Sequence, residues 1–139
     1  MSCVFCQIVA NQAPANVVLE SSLVIAFLDI RPANAGHTLI VPRRHVESFT
    51  ELTSAEVAEV AFCGQRVAIA LKRGAIPCDG VTFSLADGAA AGQDVPHTHL
   101  HVIPRIVADG LGWRAGGHRA ERDALETVAL QIRRALAPL

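Results

Sequence analysis

The stretch His97-Thr98-His99-Leu100-His101-Val102-Ile103 sets three imidazoles at every second position among β-branched and aliphatic residues. That alternation predicts a β-strand over residues 98–103, with all three histidines on one face. At a rise of about 3.3 Å per residue, successive histidines sit roughly 6.6 Å apart, near enough to converge on one phosphate or metal. Each ring would need a hydrogen-bond partner if buried, and protonated neighbours would repel one another. Two chemistries fit. One is an open zinc site that activates water. The other is nucleophilic attack on phosphorus, with one ring attacking while its neighbours set its tautomer and hold charged oxygens. Upstream, residues 85–96 form a small-residue loop containing Gly88 and Gly92. Its backbone N–H groups are expected to cradle an anion.

The run Gly92-Gln93-x-Val95-x-His97-x-His99-x-His101-Val102-Ile103-Pro104-Arg105 resembles the signature of the histidine-triad (HIT) nucleotide hydrolases and transferases. Further similar blocks are Ser2-Cys3-Val4-Phe5-Cys6-Gln7-Ile8-Val9, Ala26-Phe27-Leu28-Asp29-Ile30-Arg31-Pro32 and Gly36-His37-Thr38-Leu39-Ile40-Val41-Pro42-Arg43-Arg44-His45. The resemblance spans residues 2–105 and leaves a C-terminal loop and helix, 106–139, outside it. It implies attack by His99 on the α-phosphate of a purine nucleotide and a covalent nucleotidyl-histidine intermediate that water resolves. His101 would contact the phosphoryl oxygens and His97 would support the arrangement. Asp29 would bind the ribose hydroxyls, with Phe27 and Ile30 beside it in the base pocket and Phe5 and Ile8 on its apolar walls. Gln93, Asp94 and Val95 would approach the phosphate or the leaving group, although an ionised Asp94 repels phosphate unless turned away. Ala86 departs from the family pattern, which carries a side-chain amide there. Losing one preorganised donor costs about 2.7–4 kcal/mol of transition-state stabilisation.

Cys3-x-x-Cys6 has the spacing of half a zinc knuckle. The resemblance supplies the other half, His45 and His97, and so implies a closed structural Zn²⁺ site and no organic cofactor. Cys63 and Cys78 read as buried or incidental thiols, His37 as a packing residue and His118 as a solvated loop residue. Arg105 and Arg114 are candidates for a distal phosphate.

The 139 residues suit one domain, 1–139, and their 51% hydrophobic content would fill its core. A formal net charge of −1 offers no basic field for nucleic acid. No apolar run reaches the length of a membrane span. Four cysteines without framework spacing, and no signal peptide before Cys3, point to a reducing, cytoplasmic setting. Strands are expected at 17–19, 23–28, 38–41, 81–85 and 98–103. Thr53-x-x-Glu56 reads as a capping box opening a helix that ends near Gly74, with Val57, Val60, Ala61, Val67, Ala68 and Leu71 as its apolar stripe. A second helix runs from about residue 121 to 137, with Leu125, Val128, Ala129, Ile132 and Leu136 inward. The order of these elements predicts an α+β fold. The resemblance implies an antiparallel five-stranded sheet with two main helices and a homodimer formed through the first long helix and a sheet edge. The expected activity is hydrolysis of adenosine phosphoramidates. Dinucleoside polyphosphate hydrolysis is the alternative within the class, and a catalytically weak, zinc-stabilised nucleotide-binding protein the alternative outside it.

Overall fold

The computed structural model describes residues 3–111 and 118–136. Five strands pair antiparallel throughout: β1 (Val17–Glu20), β2 (Val24–Leu28), β3 (Thr38–Pro42), β4 (Gly80–Ser84) and β5 (Leu100–Arg105), in the spatial order β1-β2-β3-β5-β4. Helix α1 (Val4–Val9) precedes the sheet, α2 (Ser54–Arg73) joins β3 to β4, and α3 (Arg122–Ala135) follows β5. This is the α+β architecture expected from the sequence, with one short helix added.

Strand alternation divides the central strands between two layers. Val24, Ala26, Leu28 and Ile40 pack against Val67 and Leu71 of α2 and Ile132 of α3. Ile25, Phe27, Leu39 and Val41 face the other way and pack against Phe5 of α1. Both β2 and β3 are therefore buried along their whole length. No helix among the described residues is long and apolar enough to cross a membrane.

Thr53 caps α2 as expected: its hydroxyl accepts from Glu56 N–H, while the Glu56 carboxylate accepts from Thr53 N–H. The buried stripe of this helix differs from the sequence reading. Ala61 is exposed and Val57 half-buried, whereas Glu56, Cys63, Gly64 and Ala70 are buried beside Val60, Val67, Ala68 and Leu71. Gly64 lets the helix lie close on β5, since a Cβ there would come 3.1 Å from Leu100 Cδ2. Glu56 tolerates burial because Arg44 donates to both its carboxylate oxygens, at 2.8 and 3.1 Å. These bonds hold its pKa at about 2, below its ordinary 4.5. A depressed carboxylate contributes stability that is fully present above the unfolded-state value and is lost as pH falls through the folded one. Glu56→Gln is thus expected to cost on the order of 1–2 kcal/mol at neutral pH. In parallel denaturant titrations, that gap from wild type should shrink as pH falls from about 4.5 to about 2.

The strand expected at 98–103 begins only at Leu100 and runs to Arg105. Before it, Thr98 N–H donates to Val46 O, outside the ladder, and His97 N–H turns back to Val95 O. The His97 ring stays on the α1 side of the sheet, 5.9 Å from the Phe5 ring that also meets His99, but it turns toward Cys3 and Cys6. The Thr98 hydroxyl is buried with no partner among the described residues. Because a buried unpaired hydroxyl is costly, the near-isosteric Thr98→Val is expected to stabilise the fold by about 1 kcal/mol in chemical denaturation.

Helix α1 has no counterpart in the sequence reading. Six residues are too few for a periodic apolar signal, and its N-cap, Cys3, makes no side-chain capping bond. Helix α3 falls within its expected span, with Leu125, Ala129 and Ile132 buried. The expected last residue, Ala137, lies outside the described residues.

Candidate active site and metal cluster

A cavity of about 480 Å³ opens on the α1 side of the sheet. Phe5, Ile8 and Phe27 form apolar walls, Asp29 and Ile30 follow β2 along its side, and His99, His101, Asp94 and Val95 line its other part. Register explains the grouping. His101 pairs with Leu39 of β3, and Phe27 pairs with that same Leu39 from β2. The Phe5 ring meets His99 edge-on at a 5.1 Å centroid distance and Phe27 at 5.4 Å.

Hydrogen bonds assign a tautomer to each ring. His99 Nδ1–H donates to His97 O at 2.8 Å, which leaves Nε2 with its lone pair. Ala33 N–H donates to His37 Nδ1 at 3.0 Å, so the proton of neutral His37 is on Nε2, 2.9 Å from His101 Nδ1. His37 thus donates to His101, whose own proton is then on Nε2. Burial, reinforced by neighbouring imidazoles, pushes the His37 pKa down to about 3 and that of His101 to about 4, so both rings are neutral near pH 7. The outcome is a lone pair on His99 beside an N–H donor on His101, with ring centroids 4.8 Å apart. His37, read from sequence as a packing residue, is instead the group that orients His101. No local sequence signal marks it, because His101 is 64 residues away.

Asp29 Oδ1 accepts from Arg31 N–H at 2.9 Å, and Oδ2 lies 3.6 Å from His37 Nε2. Burial raises its pKa above the usual carboxylate value. Asp94 Oδ1 lies 3.9 Å from His99 Nε2.

In the small-residue loop four N–H groups are used internally: Gly88 N–H donates to Gln93 Oε1, and Ala91, Gly92 and Gln93 donate back to Gly88 or Ala89 carbonyls. Positive φ at Gly88 and Gly92 serves that tight turn. Gln93 spends its amide on Glu47 O and Val95 O and does not line the cavity. Only Asp94 and Val95 of this loop do so. No side-chain amide lines the cavity among the described residues, so the donor missing at Ala86 has no side-chain amide replacement. Arg105 is committed to Asp109, Thr82 and Leu111 O, away from any phosphate. Arg114 lies outside the described residues. Arg122, from the first turn of α3, lines the cavity with Pro14 and Ala15, a contribution that no local motif announces.

His97 belongs to a separate cluster with Cys3, Cys6 and His45. Its Nε2–H donates to Pro42 O at 2.7 Å, turning the Nδ1 lone pair toward the cluster. There His45 Nδ1 and His97 Nδ1 are 3.3 Å apart, and the sulfur–nitrogen separations are 3.2, 3.4 and 3.6 Å. Tetrahedral zinc with Zn–N near 2.0–2.1 Å and Zn–S near 2.3 Å requires edges of about 3.3 and 3.6 Å. The donor set and its spacing fit zinc. Because His97 faces this cluster while His99 and His101 face the cavity, the three motif histidines do not converge on one metal.

A HIT domain family model matches residues 10–107. The chain belongs to the HIT family. An uncharacterised HIT-like protein of Borreliella burgdorferi is 39% identical to this HIT protein over 132 residues, 94% of this chain and 95% of that one. A zinc-bound histidine triad family protein from Mycobacterium smegmatis superposes with a TM-score of 0.86 at 40% identity, covering 97% of this chain and 93% of its own. A hypothetical histidine triad nucleotide-binding protein from Sulfolobus tokodaii superposes at 0.85 with 29% identity, covering 96% and 91%.

Proposed function

We propose that this HIT protein is a nucleotide hydrolase or transferase acting on purine nucleotide phosphoramidates, with AMP conjugates of amines as its substrates. The base would enter between Phe5, Phe27 and Ile30, and Asp29 would accept from the ribose hydroxyls. The α-phosphate would meet His99 and His101. His99 Nε2 forms a bond to phosphorus while the bond from phosphorus to the leaving nitrogen breaks, that nitrogen keeping the electron pair and taking a proton from solvent. Water then displaces His99 from phosphorus and releases AMP. The observation that carries this reading is the His99 Nδ1–His97 O bond, because it holds the proton of the neutral ring on Nδ1 and leaves Nε2 as the nitrogen that faces the cavity. His101 Nε2–H would bind a phosphoryl oxygen as its charge grows.

Cys3, Cys6, His45 and His97 would hold zinc with all four positions filled by protein, leaving none for water. Its contribution would be structural, fixing α1 and hence Phe5 against the sheet. One domain, 1–139, would carry the whole site. A homodimer through α2 and β4 is supported by the edge position of β4 and the exposed Phe62, Ile69 and Phe83 around a surface groove of about 310 Å³. A cytoplasmic setting agrees with the free cysteines.

Parallel incubation with an adenosine phosphoramidate and a diadenosine polyphosphate, following AMP release, tests the reading. Faster release from the phosphoramidate is expected. Faster release from the polyphosphate would assign the dinucleoside polyphosphate branch. AMP binding without turnover of either would make the protein a nucleotide-binding one, the reading that Ala86 favours.

A further inference from the structure

We infer that Asp94 selects the leaving group by charge, favouring one that carries a cation and penalising a polyphosphate. This rests on the proposal that His99 is the nucleophile. The cavity has a directional order. Its apolar walls, Phe5, Ile8 and Phe27, suit a base, and Asp29, at the end of β2 and 3.6 Å from His37 Nε2, would take the ribose beside the two facing histidines. A nucleotide seated in that order brings its α-phosphate to His99 and His101. Whatever is attached beyond that phosphate must then extend away from the walls, past the side chains that remain.

Asp94 stands there. Its Oδ1 is 3.9 Å from the attacking nitrogen, and its side chain is 81% exposed. A carboxylate so placed has room to turn toward a departing group. Among the described residues no lysine or arginine pairs with it, and its one ion-pair contact is His99. Arg31 and Arg122 also line the cavity, but neither forms an ion pair with Asp94, so its charge is the one nearest the attacking nitrogen. The second carboxylate of the cavity, Asp29, is engaged with Arg31 N–H and adds no positive field. Gln93, adjacent in sequence, is turned away into its own loop and cannot offset the charge.

Coulomb's law sets the scale. Two charges about 6 Å apart at a partly hydrated cavity mouth change a rate by roughly tenfold, within wide limits set by the effective dielectric. A second phosphate beyond the first suffers that penalty. An ammonium on a short chain gains by as much. The same residue accounts for two expectations at once, because the charge that favours a basic amine also works against dinucleoside polyphosphates.

The test uses adenosine phosphoramidates of three amines with the same four-carbon chain: butane-1,4-diamine, its mono-N-acetyl derivative, and 4-aminobutanoate. Diadenosine tetraphosphate is the fourth substrate. For wild type, kcat/KM is expected to fall from cationic to neutral to anionic leaving group by about tenfold at each step, and the spread to narrow as salt is raised. Asp94→Asn keeps the shape and removes the charge. It is expected to bring the three amines within about twofold of one another and to raise tetraphosphate cleavage by about tenfold. Asp94→Lys should reverse the order. An unchanged order in Asp94→Asn, or no order in wild type, would overturn the inference. Failure of the underlying mechanism has a different signature, in which His99→Ala turns over all four substrates at the wild-type rate, or wild type turns over none. In that case calorimetric binding of the three amine conjugates decides: a cationic preference lost in Asp94→Asn upholds the selector, and equal affinities remove it.

Discussion

His99→Ala is expected to lower AMP release by at least about a thousandfold, since removing a nucleophile forces the reaction onto a direct attack by water that the site is not arranged to promote. The variant should still fold. His99 is 6% exposed, yet its polar contacts are one hydrogen bond to His97 O and Asp94 Oδ1 at 3.9 Å, beside an edge contact with Phe5 and a tilted one with His101. It should also still bind AMP, because the apolar walls and Asp29 remain. Three readouts separate loss of the nucleophile from mere loss of shape. A nucleotide labelled at the α-phosphate should leave label on wild-type protein quenched in alkali, where a phosphorus–nitrogen bond survives, and none on the variant. Hydrolysis of a substrate chiral at that phosphorus should proceed with retention, as two successive inversions require. His101→Ala, which removes one donor and leaves the nucleophile, should fall by a smaller 10²–10³-fold, an order of magnitude typical of one oxyanion-binding group. Full activity in His99→Ala, or inversion at phosphorus, would sink the covalent route.

What the sequence disclosed of this arrangement follows from which signals are local. Capping at Thr53 and Glu56, the apolar stripe of α3 and the continuous apolar runs of β2 and β3 are each written in neighbouring residues, so helices and strands were legible to within a few positions. Helix α1 was not, because six residues hold less than two turns and its cap lacks a side-chain bond. Yet its cysteines were visible as a spacing of three, one helical turn, and that spacing is what α1 provides. The triad was legible as residues on one side of the sheet, but the separate partners of His97 were not. Period two assigns His97, His99 and His101 one face, but His97 N–H bonds to Val95 O and its ring to Pro42 O, contacts that arise only once β3 and the preceding loop are in place. The loop before it reads as an anion cradle because glycines are the visible feature. That Gln93 closes the loop on itself is a matter of where an amide points, which composition does not carry. The role of His37 and the arrival of Arg122 in the cavity likewise depend on contacts 64 residues apart in one case and on the packing of α3 in the other.

Removing zinc is expected to lower the melting temperature by on the order of 10 °C while leaving the rate per folded molecule at 25 °C within severalfold of its starting value. The first half follows from what the cluster joins. Cys3 and Cys6 belong to α1, His45 follows β3, and His97 precedes β5, so four ligands tie three separate parts of the chain at one point. Without the metal, four donors with separations of 3.2 to 3.6 Å face one another unscreened. A loss of about 3 kcal/mol converts to a shift of that size for a chain of this length. The second half follows from where the cluster is not. Cys3, Cys6, His45 and His97 are all absent from the cavity lining. Two links join the sites: the peptide of residue 97, whose side chain faces the cluster while its carbonyl accepts from His99 Nδ1–H, and Phe5 of α1, whose ring meets both His97 and His99. Chelation should therefore act on catalysis through that carbonyl and through Phe5, as a modest loss that steepens with temperature as α1 loosens. Cys3→Ser and Cys6→Ser should reproduce the melting shift, and one equivalent of zinc should restore it in wild type only. A zinc-activated water predicts the opposite pattern: complete loss of activity at 25 °C, full recovery on adding metal, and no need for His99 to be labelled.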